Sequence, residues 1–127
     1  MTKEEILKLP ELTYQYRNGY RTKTYTIYAM VNQTNGKRYI GRTTNPRSRC
    51  KAHINLIRSR KHQNITDYDD EYTFEILETD VEFPKCSHLE RDYMLKYKTY
   101  KPEFGYNIKD KFFQKNGKPT RIVKEVI

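Results

Sequence analysis

Arg49 and His53 stand four residues apart in a stretch where Cys50, Ile54 and Ile57 recur at helical spacing. One helix face can therefore hold a guanidinium and an imidazole over a single site. The guanidinium is a planar donor fork, charged at any working pH and shaped for phosphate oxygens. Glu90 offers hard carboxylate oxygens that suit Mg²⁺ or Mn²⁺, and an ion held by one protein carboxylate fills its remaining positions with water and phosphate oxygens. Tyr28 and Tyr39 add two phenols. With an ordinary pKa of about 10, a phenol serves as a base near neutrality only if positive charge or a hydrogen-bond partner helps it. Groups of these types could serve phosphate chemistry, because water attack on a phosphodiester builds negative charge on the equatorial oxygens.

Regular elements must bring these residues together. Tyr25 to Val31 is β-branched and aromatic, with Ile27, Ala29 and Val31 at period two, and reads as a strand. Asn35-Gly36 signals a tight turn, and Lys37 to Arg42 resumes the alternation, so a β-hairpin is expected. Asn45-Pro46 opens a helix running to about Arg58. A polar loop over 59–68 follows, then a third strand from Tyr72 to Glu78 and a second helix opened by Ser87 and ended by Pro102. Thr2-Lys3-Glu4-Glu5 has capping-box spacing for a short N-terminal helix, expected as an appendage. Asn116 to Pro119 reads as a turn before a short alternation over 121–127. The expected fold is α/β (α+β): a small mixed three-stranded sheet, in the order β-β-α-β-α, flanked by helices. The period-two rule puts Ile27, Ala29 and Val31 opposite Tyr28, so with the aliphatic face toward helices both tyrosines are expected to face outward.

The chain has 127 residues, enough for one compact domain, and a net charge of +9 that is unevenly distributed. From Arg21 to Asn64 there are eleven bases and no carboxylate, whereas residues 65 to 90 hold nine acids and one base. An unneutralised basic block points to a polyanion, nucleic acid being the commonest, although a solvated basic face has the same composition. The longest apolar run is too short to span a membrane, and Glu4 and Glu5 stand where a secretory signal would turn apolar. Two cysteines, Cys50 and Cys86, fit a reducing compartment. The expectation is a cytoplasmic protein, in the host cell if phage-encoded, with no membrane partner.

Thr26-Ile27-Tyr28, then Tyr39-Ile40-Gly41, then Arg49, His53, Glu90 within Leu-Glu-Arg-Asp-Tyr, and Gly105-Tyr106-Asn107 together resemble the signature of the GIY-YIG nuclease superfamily over roughly Thr24 to Ile108. Thr26 departs from the pattern, standing where the family's first glycine usually does. The resemblance implies a metal-dependent DNA endonuclease with one active centre and one Mg²⁺ or Mn²⁺ per chain. In that reading Tyr28 is the base or water-orienting phenol, Tyr39 and Arg49 contact phosphate, His53 partners a tyrosine, Glu90 is the metal ligand and Asn107 positions the site. Lys37, Arg38, Arg42, Arg58, Lys61, His62 and Asn64 are candidate nucleic-acid contacts. DNA is the expected partner, with RNA left open, and pairing of two copies on DNA is one route to double-strand cleavage. The implied division is an N-terminal extension over 1–20, the nuclease domain over 21–110 and a basic extension over 111–127. The rival is a catalytically inactive nucleic-acid-binding module of the same fold.

Each residue also has a plainer reading. Strands favour tyrosine, Arg49 is one of eleven bases, and His53 could fill space beside Ile54. Ser87-x-x-Glu90 has capping-box spacing that would occupy Glu90 without any metal. Asn107 could favour a left-handed backbone after Gly105-Tyr106. Cys50-x-x-His53 with Cys86-x-His88 is not a common zinc spacing, and Cys50 is better read as core.

Overall fold

The computed structural model describes residues 1–108; the turn at 116–119 and the alternation over 121–127 lie outside the described residues. In chain order the elements are α1 (Lys3–Leu7), β1 (Tyr14–Arg17), β2 (Tyr20–Lys23), β3 (Tyr25–Asn32), β4 (Arg38–Thr43), α2 (Pro46–Arg58), β5 (Tyr72–Val81) and α3 (Lys85–Tyr97). The main sheet has the order β4-β3-β5, antiparallel throughout, and a single parallel bridge joins Arg38 to Gly105. Among the described residues no helix is long and apolar enough to cross a membrane.

Both faces of β3 are covered, which corrects the expected outward tyrosines. Ile27, Ala29, Val31 and Ile40 pack with Met94 and Cys86 of α3. Tyr28 and Met30, on the other face, pack with Cys50, Ile54 and Ile57 of α2 and with Phe74 of β5. Alternation separated the two sets correctly, but a central strand between two helices has no solvent side. Tyr28 is therefore only 2% exposed. Cys50 and Cys86 fall in the two different cores, so they cannot share one zinc ion.

The β3–β4 hairpin forms as its sequence demands. Asn32 Oδ1 accepts the amides of Thr34 and Asn35, and Gly36 takes the positive φ of 75° that closes the turn. Helix α2 begins at the expected cap, where Asn45 Oδ1 accepts the Ser48 amide at 3.0 Å ahead of Pro46.

Three further expectations needed correction. Helix α1 is no appendage: Ile6 is buried in the core beside α2, and the Met1 ammonium donates to the Tyr72 carbonyl at 3.1 Å. Helix α3 starts two residues before Ser87, with Pro84 at its cap and no side-chain capping bond, so Ser87 and Glu90 do not form a capping box. Residues 14–23 pair as a separate two-stranded ribbon across Asn18-Gly19, both at positive φ, and the expected boundary at residue 20 falls inside it. That Asn-Gly signal equals the one at residues 35 and 36 and could have been read the same way.

Candidate active site

Tyr28 and Gly41 are cross-strand partners, and the pairing depends on glycine. A Cβ at residue 41 would strike the Tyr28 hydroxyl and lie 2.6 Å from its Cζ. The bare backbone of β4 lets the phenol lie across it, and Phe74 of β5 stacks on the ring from a centroid distance of 4.7 Å. The glycine of the second tripeptide thus seats the tyrosine of the first. Thr26 is 1% exposed, and its Oγ1 has no hydrogen-bond partner among the described residues.

Beneath the phenol runs a chain of imidazoles. Tyr28 Oη lies 2.7 Å from His53 Nε2, and His53 Nδ1 lies 2.8 Å from His62 Nε2. The far nitrogen of His62, Nδ1, accepts the amides of Asn64 at 3.1 Å and Ile65 at 3.0 Å. A backbone amide only donates, so this Nδ1 carries no proton. Burial holds His62 below its usual titration range, and burial, then His62, then Arg49, push His53 down to about 3. Both rings are neutral near pH 7 and carry one proton each. The proton of His62 must sit on Nε2 and donate to His53 Nδ1; that of His53 must then sit on Nε2 and donate to Tyr28 Oη. Two amides of the 62–65 turn thereby fix the direction of every bond in the chain, and the phenol's own proton points away from His53.

Electrostatics bring other candidates to the same phenol. Burial is the main cause that raises Tyr28 far above the ordinary phenol range; Tyr39 and Glu90 push the same way, and Arg49 pulls it down. Tyr39 is half-buried and packs edge-on against His53 and His62, with centroids 5.3 and 5.9 Å away. Arg49 is exposed, one helical turn before His53. Glu90 is half-buried on α3, whose first turn is tied to β4 by a bond from Arg42 to Ser87 Oγ. Three residues after Ser87, it lies on the same side of the helix.

Asn107 has a different part. Its Oδ1 accepts the Ile40 amide at 2.8 Å and its Nδ2 donates to the Ile40 carbonyl at 3.0 Å, so the side chain pairs with β4 as another strand would. Its backbone does not adopt positive φ, contrary to the left-handed reading. Gly105 allows this segment to approach β4, since a Cβ there would lie 2.7 Å from the Arg38 carbonyl oxygen. Asn107 holds the strand between Tyr39 and Gly41 in place.

The model of the GIY-YIG catalytic domain matches residues 24–107, two thirds of the chain. The chain belongs to the GIY-YIG nuclease superfamily. No curated protein and no solved structure gives a match. The GIY-YIG domain, with its three-stranded sheet between helices, carries a nuclease-type function. Of the residues singled out from sequence, Tyr39, Arg49, His53 and Glu90 each act on Tyr28, and Tyr39 and Arg49 also act on His53. His62 joins them from below as the second ring of the imidazole chain, and the Asn64 backbone amide donates to it. His62 is buried with both nitrogens engaged, so it is no surface contact for a substrate. Arg38 and Arg42 are not brought to the phenols. Their side chains lie on the α3 face, Arg38 over the Tyr97 ring and paired with Glu75, Arg42 bonded to Ser87. Lys37 lies near the Tyr106 ring, and Arg58 and Lys61 are exposed at the end of α2 and just after it. Sequence reasoning missed Phe74 as the stacking partner and the nine-residue interval from His53 to His62 as a hydrogen-bonded pair.

Proposed function

We propose that this chain is a metal-dependent DNA endonuclease that hydrolyses phosphodiester bonds at one centre per chain. The observation that carries the reading is a buried phenol, Tyr28, held by a one-way imidazole chain and acted on by Arg49 and Glu90. At rest Tyr28 keeps its proton. His53 Nε2–H donates to its oxygen, a bond that favours the phenolate over the phenol, and Arg49 acts in the same sense. Burial opposes both, so ionisation needs further positive charge.

Among the described residues no three His, Cys, Asp or Glu side chains form a metal cage. A single half-buried carboxylate, Glu90, fits Mg²⁺ or Mn²⁺, which keep most of their ligands as water and substrate oxygens. Bound there, such an ion would neutralise charge on the phosphate and lower the pKa of neighbouring acids. The chain's own residues do the remainder. Arg49, exposed and forked, clamps the phosphate oxygens. Tyr39, held against the two imidazoles, contacts the phosphate from β4, and Tyr28 orients the attacking water and takes its proton once ionised.

The test is incubation of supercoiled plasmid with pure protein and Mg²⁺, with EDTA as control and Arg49→Ala in parallel. Nicked or linear product that needs both Mg²⁺ and Arg49 supports the reading. Salt-sensitive DNA binding with no product under any divalent ion would refute hydrolysis.

A further inference from the structure

The β1–β2 ribbon lies before the matched residues 24–107 and belongs to neither core of the domain. Residues 14–23 contain Arg17, Arg21 and Lys23, three tyrosines and no acid. The register places Tyr14 opposite Lys23 and Tyr16 opposite Arg21, and alternation puts all four on one face. The Arg21 guanidinium lies 4.5 Å from the Tyr14 ring centroid, and Tyr14 and Tyr16 meet edge to face at 6.1 Å. This is a pre-ordered cationic and aromatic surface, and it is wet: Tyr16 is 72% exposed. On the opposite face Gln15 reaches back to Glu82 at the end of β5, so the Tyr16 face is turned from the body.

The root of the ribbon is fixed. The Thr13 amide donates to the Thr44 carbonyl and the Thr24 amide to the Thr13 carbonyl, each at 3.0 Å, and the Thr13 hydroxyl donates to the Thr24 carbonyl at 2.6 Å. Thr44 leads directly into Asn45 and α2, where Arg49 stands about 5 Å of helical rise further on. An acid-free arm with a fixed root thus springs from the junction that carries the phosphate-clamping arginine.

We propose that the Tyr14, Tyr16, Arg21 and Lys23 face of this ribbon docks double-stranded DNA in the major groove beside the cleaved phosphate. The proposal rests on the nuclease reading above. A two-stranded ribbon fits the major groove of B-form DNA, whereas the major groove of an RNA helix is too narrow to admit side chains. Strands of four residues extend about 13 Å, roughly four base pairs of duplex. Charge decides against a neutral or basic protein partner, and the aromatic edges supply apolar contact to thymine methyls.

The experiment measures binding of the full chain to a 30-base-pair duplex by fluorescence anisotropy in EDTA, across a salt series, with hydroxyl-radical footprinting. Arg21→Ala/Lys23→Ala should weaken binding about tenfold, reduce the slope of log affinity against log salt by about 2, and shorten the footprint on one side by about 4 base pairs. Tyr16→Ala changes one exposed side chain and should shorten the same side of the footprint, which keeps the test readable if the double variant misfolds. Wild type that cuts plasmid while these variants bind with unchanged affinity, slope and footprint overturns the ribbon proposal alone. Wild type that neither binds duplex nor cuts it overturns the nuclease reading and the ribbon with it. Losses confined to single strands or RNA, or to self-association of the chain, also overturn the ribbon's assignment.

Discussion

Burial, followed by the neighbouring His62 and Arg49, holds the His53 imidazole at about 3, against an ordinary value of 6.5. Between those values the unfolded chain binds a proton at this residue that the folded chain refuses. Stability therefore rises with pH across that window: it is fully present above about pH 6.5 and is lost as pH falls toward 3. The complete gap corresponds to ~5 kcal/mol, and at pH 5 the loss from His53 alone is about 2 kcal/mol. His62, lowered by burial, adds to the loss with the same sign. The groups packed around His53 are Tyr28, Tyr39, His62 and the nearby Arg49, none of them a carboxylate that would hold its proton on. Urea unfolding from about pH 7.5 to 5, above the range where most carboxylates titrate, isolates the effect. Wild type should lose at least ~2 kcal/mol, and His53→Gln should lose markedly less over the same interval. Imidazole ¹⁵N shifts at neutral pH should place the proton on Nε2 in both rings. Flat stability in wild type, an undiminished slope in His53→Gln, or Nδ1 protonation would refute both the neutral chain and its direction.

Other perturbations reach different parts of the site. Glu90→Gln should lower Mg²⁺-dependent plasmid cleavage at least ~100-fold; wild-type cleavage would remove it from the centre. Gly41→Ala drives a methyl into the Tyr28 ring and should cost about 1–3 kcal/mol in denaturant titration. It should also slow cleavage up to ~100-fold by displacing the phenol, and an unaltered rate would mean that the ring's position is immaterial. Thr26→Val replaces a buried hydroxyl that has no hydrogen-bond partner among the described residues by a methyl of the same shape. It should raise stability by about 1 kcal/mol, and a loss on melting would show that the hydroxyl is satisfied after all.

The β3–β4 hairpin and the start of α2 were legible because their causes are local: Asn35-Gly36 sets the turn, Asn45-Pro46 sets the cap, and alternation assigns the faces. The five candidate groups were legible through their resemblance to the GIY-YIG signature. Whether both faces of a strand are covered depends on where the helices land, and that is why Tyr28 proved buried. The start of α3 was misplaced because Ser87-x-x-Glu90 has the right spacing for a capping box, yet Ser87 already lies inside the helix and bonds Arg42. The amino-acid order established which side chains this protein has available, and their match to the GIY-YIG signature pointed them to phosphate chemistry. Tertiary structure alone decided that two amides from a polar loop orient His62, that His62 orients His53, and that His53 donates to one particular phenol. Proton direction along a chain of rings is set by fixed donors at its end, and those donors come near only when the chain folds.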